Sequence, residues 1–272
     1  RQRCWQYDWV VEFDIKGLFD NLPWELLMKA VHRHTQERWV ILYIERWLKA
    51  PMQQQDGTIV ERTSGTPQGG VISPCLSNLF LHYAFDKWMQ RNHPIFSWCR
   101  YADDGLVHCK TQMQAEQILS ELRQRFAECG LELHPDKTKI VYCKDWKRKK
   151  EYPNRAFNFL GYTFRARRCR NSKRGNLFEG FTPAVSKEAL RSMRATIKKT
   201  KVRHRTDLSL EDIARWFNPI LRGWLNYYGS YTQSAMSPVW RYFNMSLVAW
   251  ARRKHRRLNR SKIKAGLFLA KI

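Results

Sequence analysis

The chain has 272 residues, 43% of them hydrophobic and 14% aromatic, which is enough to bury one large core or two modest ones. Its net charge of +25 is uneven, because residues 1–146 hold 18 Lys and Arg against 18 Asp and Glu, whereas residues 147–272 hold 31 against 6. This asymmetry predicts a polyanionic partner, and nucleic acid is favoured over an anionic membrane surface. No apolar run approaches the roughly 18 residues that a membrane helix needs.

The first part of the chain alternates short apolar runs with amphipathic segments, which predicts an α+β layer. The expected elements, in chain order, are a strand over 9–15, helices over 23–31 and 37–48, a polar hairpin over 52–63, a helix capped by Ser73, a hairpin around Asp103, a helix over 115–126, and strands over 139–143 and 157–164.

The second part is basic and predicted to be helical. A basic stretch over 165–174 precedes three helical segments, at about 186–201, 210–228 and 238–257. Ser209 and Asp212 form a predicted capping box for the second of them. We therefore expect a compact all-α module with Arg and Lys on its outer faces.

The seven cysteines lie far apart, and none forms a CxxC pair. This spacing indicates neither a disulfide framework nor a zinc knuckle. We expect reduced cysteines in an intracellular protein. Because the chain begins at Arg1 and enters apolar sequence directly, it is interpreted as a fragment.

Two adjacent carboxylates, Asp103 and Asp104, fall in the predicted hairpin turn that follows Tyr101 and Ala102. Two anions about 4 Å apart repel by roughly 1 to 4 kcal/mol, depending on the local dielectric. One interpretation is an ordinary Asp-Gly turn with solvated acids. The other is a site where divalent cations offset the repulsion.

Asp14 ends the first predicted strand, so three carboxylates converge if that strand pairs beside the hairpin. Oxygen ligands of this kind suit Mg²⁺ completed by substrate phosphates. Two such ions could activate a 3′-hydroxyl and stabilise a leaving pyrophosphate. A glycine-rich loop over 65–70 precedes a helix and adds a third cluster.

The chain resembles the reverse transcriptases encoded by group II introns, the splicing maturases. The resemblance covers nearly the whole chain and rests on six segments in the family's order, 13–21, 65–74, 101–105, 130–140, 159–162 and 222–228. It implies a polymerase palm, an antiparallel sheet with packed helices, followed by an all-α three-helix thumb/maturase domain. The implied domains are a palm over 1–165, a basic connecting segment over 166–182, and a thumb/maturase domain over 183–272.

The implied function is an RNA-directed DNA polymerase that uses two Mg²⁺ ions to add dNTPs to a primer, combined with an RNA-binding maturase that assists splicing and mobility. The alternative is a non-catalytic RNA-binding splicing cofactor. The implied partners are group II intron RNA and an RNA template with a DNA primer, with no membrane. A monomer and a homodimer both stay open, and the expected location is the bacterial cytoplasm.

The resemblance also implies roles for single residues. The catalytic set is Asp14, Asp103, Asp104 and Lys137, and the metal ligands are Asp14, the Ile15 carbonyl, Asp103 and, more weakly, Asp104. The nucleotide site is Phe19, Gln68, Gly69 and Gly70, and the primer grip is Phe159, Leu160, Gly161 and Tyr162. Open alternatives are a core aromatic at Phe19, an ordinary loop at Gln68, Lys139 in place of Lys137, and a plain turn at the grip.

Contacts with RNA phosphate are expected from basic residues interleaved with aromatic ones. They are Lys147, Arg148, Lys149, Lys150, Arg165, Arg167, Arg168, Lys198, Lys199, Arg252 and Arg253. The family's fingers region, which precedes the Asp14 strand, is missing from the sequence. An isolated chain is therefore expected to bind RNA and to polymerise poorly unless a fingers segment accompanies it.

Overall fold

The structure is a computed structural model that describes residues 1–53, 56–67, 69–171 and 175–270. It contains two compact units, unit 1 at Arg1–Arg155 and unit 2 at Ala156–Ile272. Among the described residues, no helix is both long enough and apolar enough to cross a bilayer. The domain ranges expected from the sequence stay predictions.

Unit 1 combines one main sheet with surrounding helices. Its helices are α1 (Gln2–Gln6), α2 (Leu18–Asn21), α3 (Trp24–His32), α4 (Arg38–Lys49), α5 (Ser73–Leu81), α6 (Lys87–Asn92) and α7 (Gln112–Glu128), with a π-helical turn (His82–Asp86) between α5 and α6. Its strands are β1 (Trp9–Asp14), β2 (Met52–Gln53), β3 (Ile59–Val60), β4 (Ser97–Tyr101), β5 (Asp104–Cys109) and β6 (Lys139–Tyr142).

The main sheet of unit 1 has the order β4-β5-β1-β6, and every pairing is antiparallel. β1 lies inside the sheet, and Val11 and Phe13 on it are buried in the hydrophobic core. The Phe13 ring contacts the rings of Phe85 and Phe126 at centroid distances of 5.2 and 5.8 Å. The helices that carry these two rings therefore cover the strand that ends at Asp14.

The predicted α+β order of unit 1 is confirmed, with small shifts at element ends. One detail was wrong: Ser73 does not cap α5, because it is the first residue of that helix. Its hydroxyl donates to the Pro67 carbonyl at 2.6 Å instead, which ties the start of α5 to the glycine-rich loop.

Unit 2 consists of a small sheet followed by helices. The sheet contains β7 (Ala156–Phe159), β8 (Tyr162–Arg170) and β9 (Leu177–Val185), antiparallel in that order. The helices are α8 (Lys187–Lys199), α9 (Leu210–Tyr228), α10 (Ser237–Lys254) and α11 (Lys262–Ala270). Phe217, Met236 and Trp250 are buried in a hydrophobic core of their own, and the Ser209 capping box is present.

The secondary structure of unit 2 differs from the one expected from the sequence in three places. The strand predicted over 157–164 is two strands, because a tight turn at Leu160 and Gly161 reverses the chain. The segment expected to connect the domains, 166–182, lies mostly in the β8–β9 hairpin where it is described; its arginines obscure the alternation that marks a strand. Beyond the three predicted helices, the described residues contain a fourth, α11.

Substituting Gly105→Ala is expected to destabilise unit 1. A Cβ at Gly105 would lie 2.0 Å from Cζ of the Phe13 ring, which faces it across the β1–β5 ladder. Because Phe13 is buried among other rings, the ring has little room to move, and overpacking should cost about 1–3 kcal/mol. Urea unfolding measures this loss.

Gly223→Ala in α9 is the control, since a Cβ there meets no atom within 4 Å. It should stabilise its helix by about 0.5–1 kcal/mol. Equal unfolding midpoints for wild type and Gly105→Ala would contradict the packing described for β1 and β5.

Candidate active site

The three predicted carboxylates lie at one end of the main sheet of unit 1. Asp14 is the last residue of β1, and the register places it directly opposite Asp104, the first residue of β5. Asp104 also pairs with Tyr101 on its other side, so Ala102 and Asp103 form the connecting turn. The pairing of β1 with β5 therefore brings together acids that are far apart in sequence.

Asp104 carries the clearest electrostatic mark of this arrangement. Burial raises the pKa of its carboxyl, and the negative charges of Asp103 and Asp14 and a hydrogen bond with Asp14 raise it further, to about 6. The positive charge of Lys137 opposes this rise. A shift produced by partial burial together with like charges is typical of functional sites.

Lys137 lies beside the carboxylates. Its Nζ donates to Oδ2 of Asp14 at 2.9 Å, and more than half of the lysine side chain is exposed. This hydrogen bond, with the charges of Asp14, Asp103 and Asp104, raises the pKa of the Lys137 ammonium. Lys139, the alternative, pairs with Glu12 at 3.2 Å instead. Of the two lysines, Lys137 is the one that contacts the carboxylates at the end of β1 and β5.

Ile15 follows β1 and bridges to the segment that leads to Lys137. Ile15 lies opposite Leu133 in an antiparallel bridge, and the neighbouring residues make its two hydrogen bonds. The His134 N–H donates to the Asp14 carbonyl at 2.8 Å, and the Lys16 N–H donates to the Glu132 carbonyl at 2.9 Å. The Ile15 carbonyl takes no part in that bridge. Its placement is compatible with the backbone ligand expected from the sequence.

The donor set suits a magnesium ion by its chemistry. Carboxylate and carbonyl oxygens are the ligands Mg²⁺ prefers, and it usually binds one or two carboxylates and completes its shell with water and substrate phosphates. Among the described residues, no group of three or more His, Cys, Asp or Glu side chains that could hold a metal ion is found, so a magnesium ion here would depend on further ligands from water and substrate phosphates. Burial is the main cause of the raised pKa of Asp104, and the neighbouring negative charges of Asp103 and Asp14, which a cation would offset, add to it.

The glycine-rich loop is tied to the segment that carries Phe19. The N–H of Thr66 donates to the Phe19 carbonyl at 2.6 Å, and the N–H of Gly65 donates to the Leu22 carbonyl at 2.7 Å. A Cβ at Gly65 would lie 2.3 Å from the Phe19 carbonyl oxygen, so only glycine permits this approach. Two of the three sequence clusters therefore form one structural assembly.

The predicted nucleotide residues differ in how they are placed. Phe19 is half-buried, and its ring is not part of the hydrophobic core of unit 1, so it is not the core aromatic of the alternative interpretation. Gly69 has a φ of 84° and open space where a Cβ would point, whereas the Ser73 hydroxyl fills that space at Gly70. Gln68 lies outside the described residues.

The predicted primer grip is the turn between β7 and β8 in unit 2. Leu160 and Gly161 have φ values of 51° and 74°, and Phe159 pairs with Tyr162 across the turn. The Tyr227 hydroxyl donates to the Leu160 carbonyl at 3.0 Å, and the Tyr162 hydroxyl donates to the Tyr227 carbonyl. The end of α9 therefore fixes this turn, a connection that the separate sequence motifs did not reveal.

Among the basic residues of unit 1, Lys147, Lys149 and Lys150 are exposed as expected. The expectation for Arg148 needs correction, because its side chain is only 9% exposed. Its guanidinium donates to the carbonyls of Cys4 and Tyr7 and pairs with Asp145. Arg148 therefore joins the start of the chain to this loop and is not available to a phosphate.

The basic residues predicted in unit 2 fall into two groups. The exposed ones are Arg165, Arg168, Lys198, Lys199 and Arg253. Arg167 is half-buried and donates to the Thr182 and Thr163 carbonyls, while Arg252 donates twice to the Asn259 carbonyl. Arg167 and Arg252 therefore already hold backbone atoms of their own unit. Of the predicted stretch 165–174, residues 172–174 lie outside the described part of the chain.

The structure adds Arg100, which the sequence reasoning missed. Arg100 lies on β4, two residues before the turn at Ala102 and Asp103, and its side chain is 8% exposed. Its guanidinium donates to the Ala102 carbonyl at 3.0 Å and pairs with Asp86 at 2.7 Å. The signal available in the sequence was a lone arginine beside the acidic motif, and its partner is 14 residues away.

Comparison with known families identifies the class. The family described as Reverse transcriptase (RNA-dependent DNA polymerase) matches residues 2–164. The family described as Group II intron, maturase-specific domain matches residues 190–268. The chain therefore belongs to the reverse transcriptases, in the group that carries the group II intron maturase domain, as the sequence motifs predicted.

Two curated relatives show the extent of the similarity. Protein YkfC of Escherichia coli (strain K12) is 31% identical over 194 residues, which cover 60% of this chain and 48% of that protein. Group II intron-encoded protein LtrA of Lactococcus lactis subsp. cremoris is 25% identical over 305 residues, which cover 81% of this chain and 48% of LtrA. The chain thus spans about half the length of these relatives.

Two solved telomerase structures are similar at a greater distance. The apo telomerase of Candida tropicalis, truncated from its C-terminal domain, has a TM-score of 0.46 and 12% identity over 63% of this chain and 35% of that one. The telomerase of Candida albicans, in complex with a TWJ fragment of telomeric RNA, has a TM-score of 0.46 and 13% identity over 94% and 45%.

Asp104→Asn is expected to stabilise unit 1 at neutral pH but not in acid. Folding raises the pKa of Asp104 from 3.8 to about 6, so the folded protein loses stability as the pH rises through that interval. Asn carries no charge and avoids the loss. The gain should be on the order of 1 kcal/mol at about pH 8, allowing for solvent screening of a half-exposed group, and should vanish near pH 3.

Unfolding in urea without divalent cations, repeated across this pH range, measures the gain. Glu116→Gln, which neutralises an exposed carboxylate on α7, is the matched control and should change little. If the free energy of unfolding depends on pH in the same way in wild type and Asp104→Asn, ionisation of Asp104 does not cost the folded protein stability.

Proposed function

We propose that this chain is the polymerase and maturase part of a group II intron reverse transcriptase, in which unit 1 extends a DNA primer on an RNA template and unit 2 binds intron RNA. The single observation that carries the polymerase proposal is the pairing of Asp14 with Asp104, with Asp103 beside them and the Lys137 ammonium 2.9 Å from Asp14. Three carboxylates with one ammonium group beside them are better suited to phosphoryl transfer than to the role of an ordinary structural turn.

In this proposal the carboxylates of Asp14 and Asp103 and the Ile15 carbonyl would hold two Mg²⁺ ions, with Asp104 as a weaker ligand. When bound, the ions supply activation of the primer 3′-hydroxyl and neutralisation of charge on the phosphates. Lys137 holds a proton at Nζ, and its raised pKa keeps that proton in place at neutral pH. It donates this proton to the leaving pyrophosphate.

The loop and Phe19 supply nucleotide selection. The half-buried Phe19 ring lies outside the core and can lie beneath the deoxyribose, where its bulk excludes a ribose 2′-hydroxyl. The open space at Gly69 allows the backbone to approach the dNTP. Gln68 would contact the nucleotide or its template base. The hydrogen bond from Thr66 to Phe19 couples the two elements.

Primer extension on an RNA template with Mg²⁺ tests the polymerase proposal. In the native protein that contains this chain, Asp103→Ala should lower kcat by at least about 1000-fold, because a metal-binding carboxylate is removed from the reacting centre. Glu116→Gln is the control and should retain activity. Equal product from wild type and Asp103→Ala would eliminate the polymerase and leave the alternative, a non-catalytic RNA-binding splicing cofactor.

RNA binding is assigned to unit 2 because of its charge. Residues 156–272 carry 26 Lys and Arg against 5 Asp and Glu. Lys198 and Lys199, in the last turn of α8, are exposed. Such cations neutralise phosphates, while exposed Trp216 and Tyr227 offer rings on which unpaired bases can stack. Assistance in splicing follows from this binding and should not need the acids of unit 1.

The double substitution Lys198→Glu with Lys199→Glu should weaken binding of group II intron RNA and make the slope of log affinity against log salt shallower by about 1 to 2, since each lost phosphate contact means that fewer counterions are released from the RNA on binding. Lys29→Glu with Lys49→Glu makes the same change of net charge in unit 1 and is the control. If both pairs alter affinity and slope equally, only total charge matters, and the assignment to α8 is wrong.

A further inference from the structure

Arg100 is a partly buried cation whose donors reach three different segments of unit 1. Its Nε and Nη2 donate to the two carboxylate oxygens of Asp86 at 2.9 and 2.7 Å. Its Nη1 donates to Oδ1 of Asn78 at 2.9 Å and to the Ala102 carbonyl at 3.0 Å. A planar guanidinium that pairs with a carboxylate through two parallel bonds is held in one orientation.

The partners of Arg100 are themselves fixed. Asn78 lies on α5, and its amide donates to the Pro74 carbonyl at 2.9 Å. Asp86 ends the π-helical turn that interrupts the helix between α5 and α6. A wide turn of this kind is uncommon and occurs often at functional sites. Here it supplies the carboxylate that orients the Arg100 guanidinium.

Ala102, the residue that Arg100 holds, has a strained backbone. Its φ of 50° lies in the left-handed region, which an alanine rarely adopts and which persists only where surrounding contacts enforce it. The strained residue is followed at once by Asp103, and Asp104 comes next. The direction of both acids therefore depends on a peptide whose carbonyl oxygen is held by Arg100.

We propose that Arg100, oriented by Asp86 and Asn78, is a positioning residue that fixes the turn at Ala102 and so aims Asp103 and Asp104 at Asp14. It touches neither substrate nor reacting atoms. Its effect on metal binding and on the reaction passes through the turn. The catalytic consequence of this positioning rests on the function proposed above, whereas the positioning itself does not depend on that function.

The test compares two arginines that contact the same π-helical turn. Arg125 on α7 donates to the carbonyls of Ala84 and Tyr83 within that turn, but it does not contact Ala102. Arg100→Gln and Arg125→Gln each remove one guanidinium that donates to backbone carbonyls in the same region, with side chains 8% and 27% exposed, respectively. Thermal unfolding should show comparable losses of stability. Only Arg100→Gln should weaken metal binding by Asp103 and Asp104.

Two measurements on the native protein separate positioning from stability. Binding of Mn²⁺, followed by electron paramagnetic resonance, should weaken about 10- to 100-fold in Arg100→Gln, as is usual when a group that orients metal ligands is lost. In primer extension kcat should fall by a similar factor with little change in KM for dNTP. Arg125→Gln should keep both values near wild type.

Two further variants guard against misfolding of Arg100→Gln. Asp86→Asn should also weaken Mn²⁺ binding, although Asp86 does not contact the hairpin turn at Ala102. Arg100→Lys keeps the charge but loses the paired donors, so it should recover only part of the affinity.

If Arg100→Gln and Arg125→Gln bind Mn²⁺ equally well and have equal kcat, the proposal is overturned while the polymerase function stands. If wild type fails to extend primers, yet Arg100→Gln still binds Mn²⁺ more weakly than Arg125→Gln, the polymerase function fails and the positioning role stands.

Discussion

The antiparallel pairing of β1 with β5 is the interaction on which the candidate site depends. Its register sets Asp14 opposite Asp104 and Phe13 opposite Gly105. A shift by one residue would move each side chain to the other face of the sheet, so the same contacts that bury Phe13 also fix the acids. The absence of a Cβ at Gly105 allows the Phe13 ring to lie against the strand, which links core packing to site geometry.

The pairing also creates an electrostatic cost that nearby cations only partly offset. Burial and then the charges of Asp103 and Asp14 raise the pKa of Asp104, and the Lys137 ammonium opposes this rise from one side. Arg100 acts differently, because its charge is satisfied by Asp86 and its contact with the turn is through the Ala102 carbonyl. Lys137 thus balances negative charge at the site, whereas Arg100 holds the backbone next to Asp103 and Asp104.

Local sequence signals predicted much of this arrangement and failed where distant residues decide it. The strand that ends at Asp14 and the Asp103 turn were predictable because apolar runs flank the acids on both sides. The Arg100 contacts were not, since they depend on Asn78, 22 residues away, and on an unusual helical turn at Asp86. The hairpin of β8 and β9 was missed because its arginines hide the strand pattern, and Arg148 was read as a surface cation although tertiary contacts bury it.

A single metal-binding centre formed by Asp14, Asp103 and Asp104 can be tested directly by cleavage of the backbone at the metal. Fe²⁺ substituted for Mg²⁺ generates hydroxyl radicals that cut the backbone close to where the ion binds, and mass spectrometry locates the cuts. A metal centre at these carboxylates should give cuts beside Asp14 and beside the turn at Ala102 and Asp103, suppressed by excess Mg²⁺ and lost in Asp103→Ala. Cuts elsewhere in unit 1, or cuts that persist in Asp103→Ala, would contradict it.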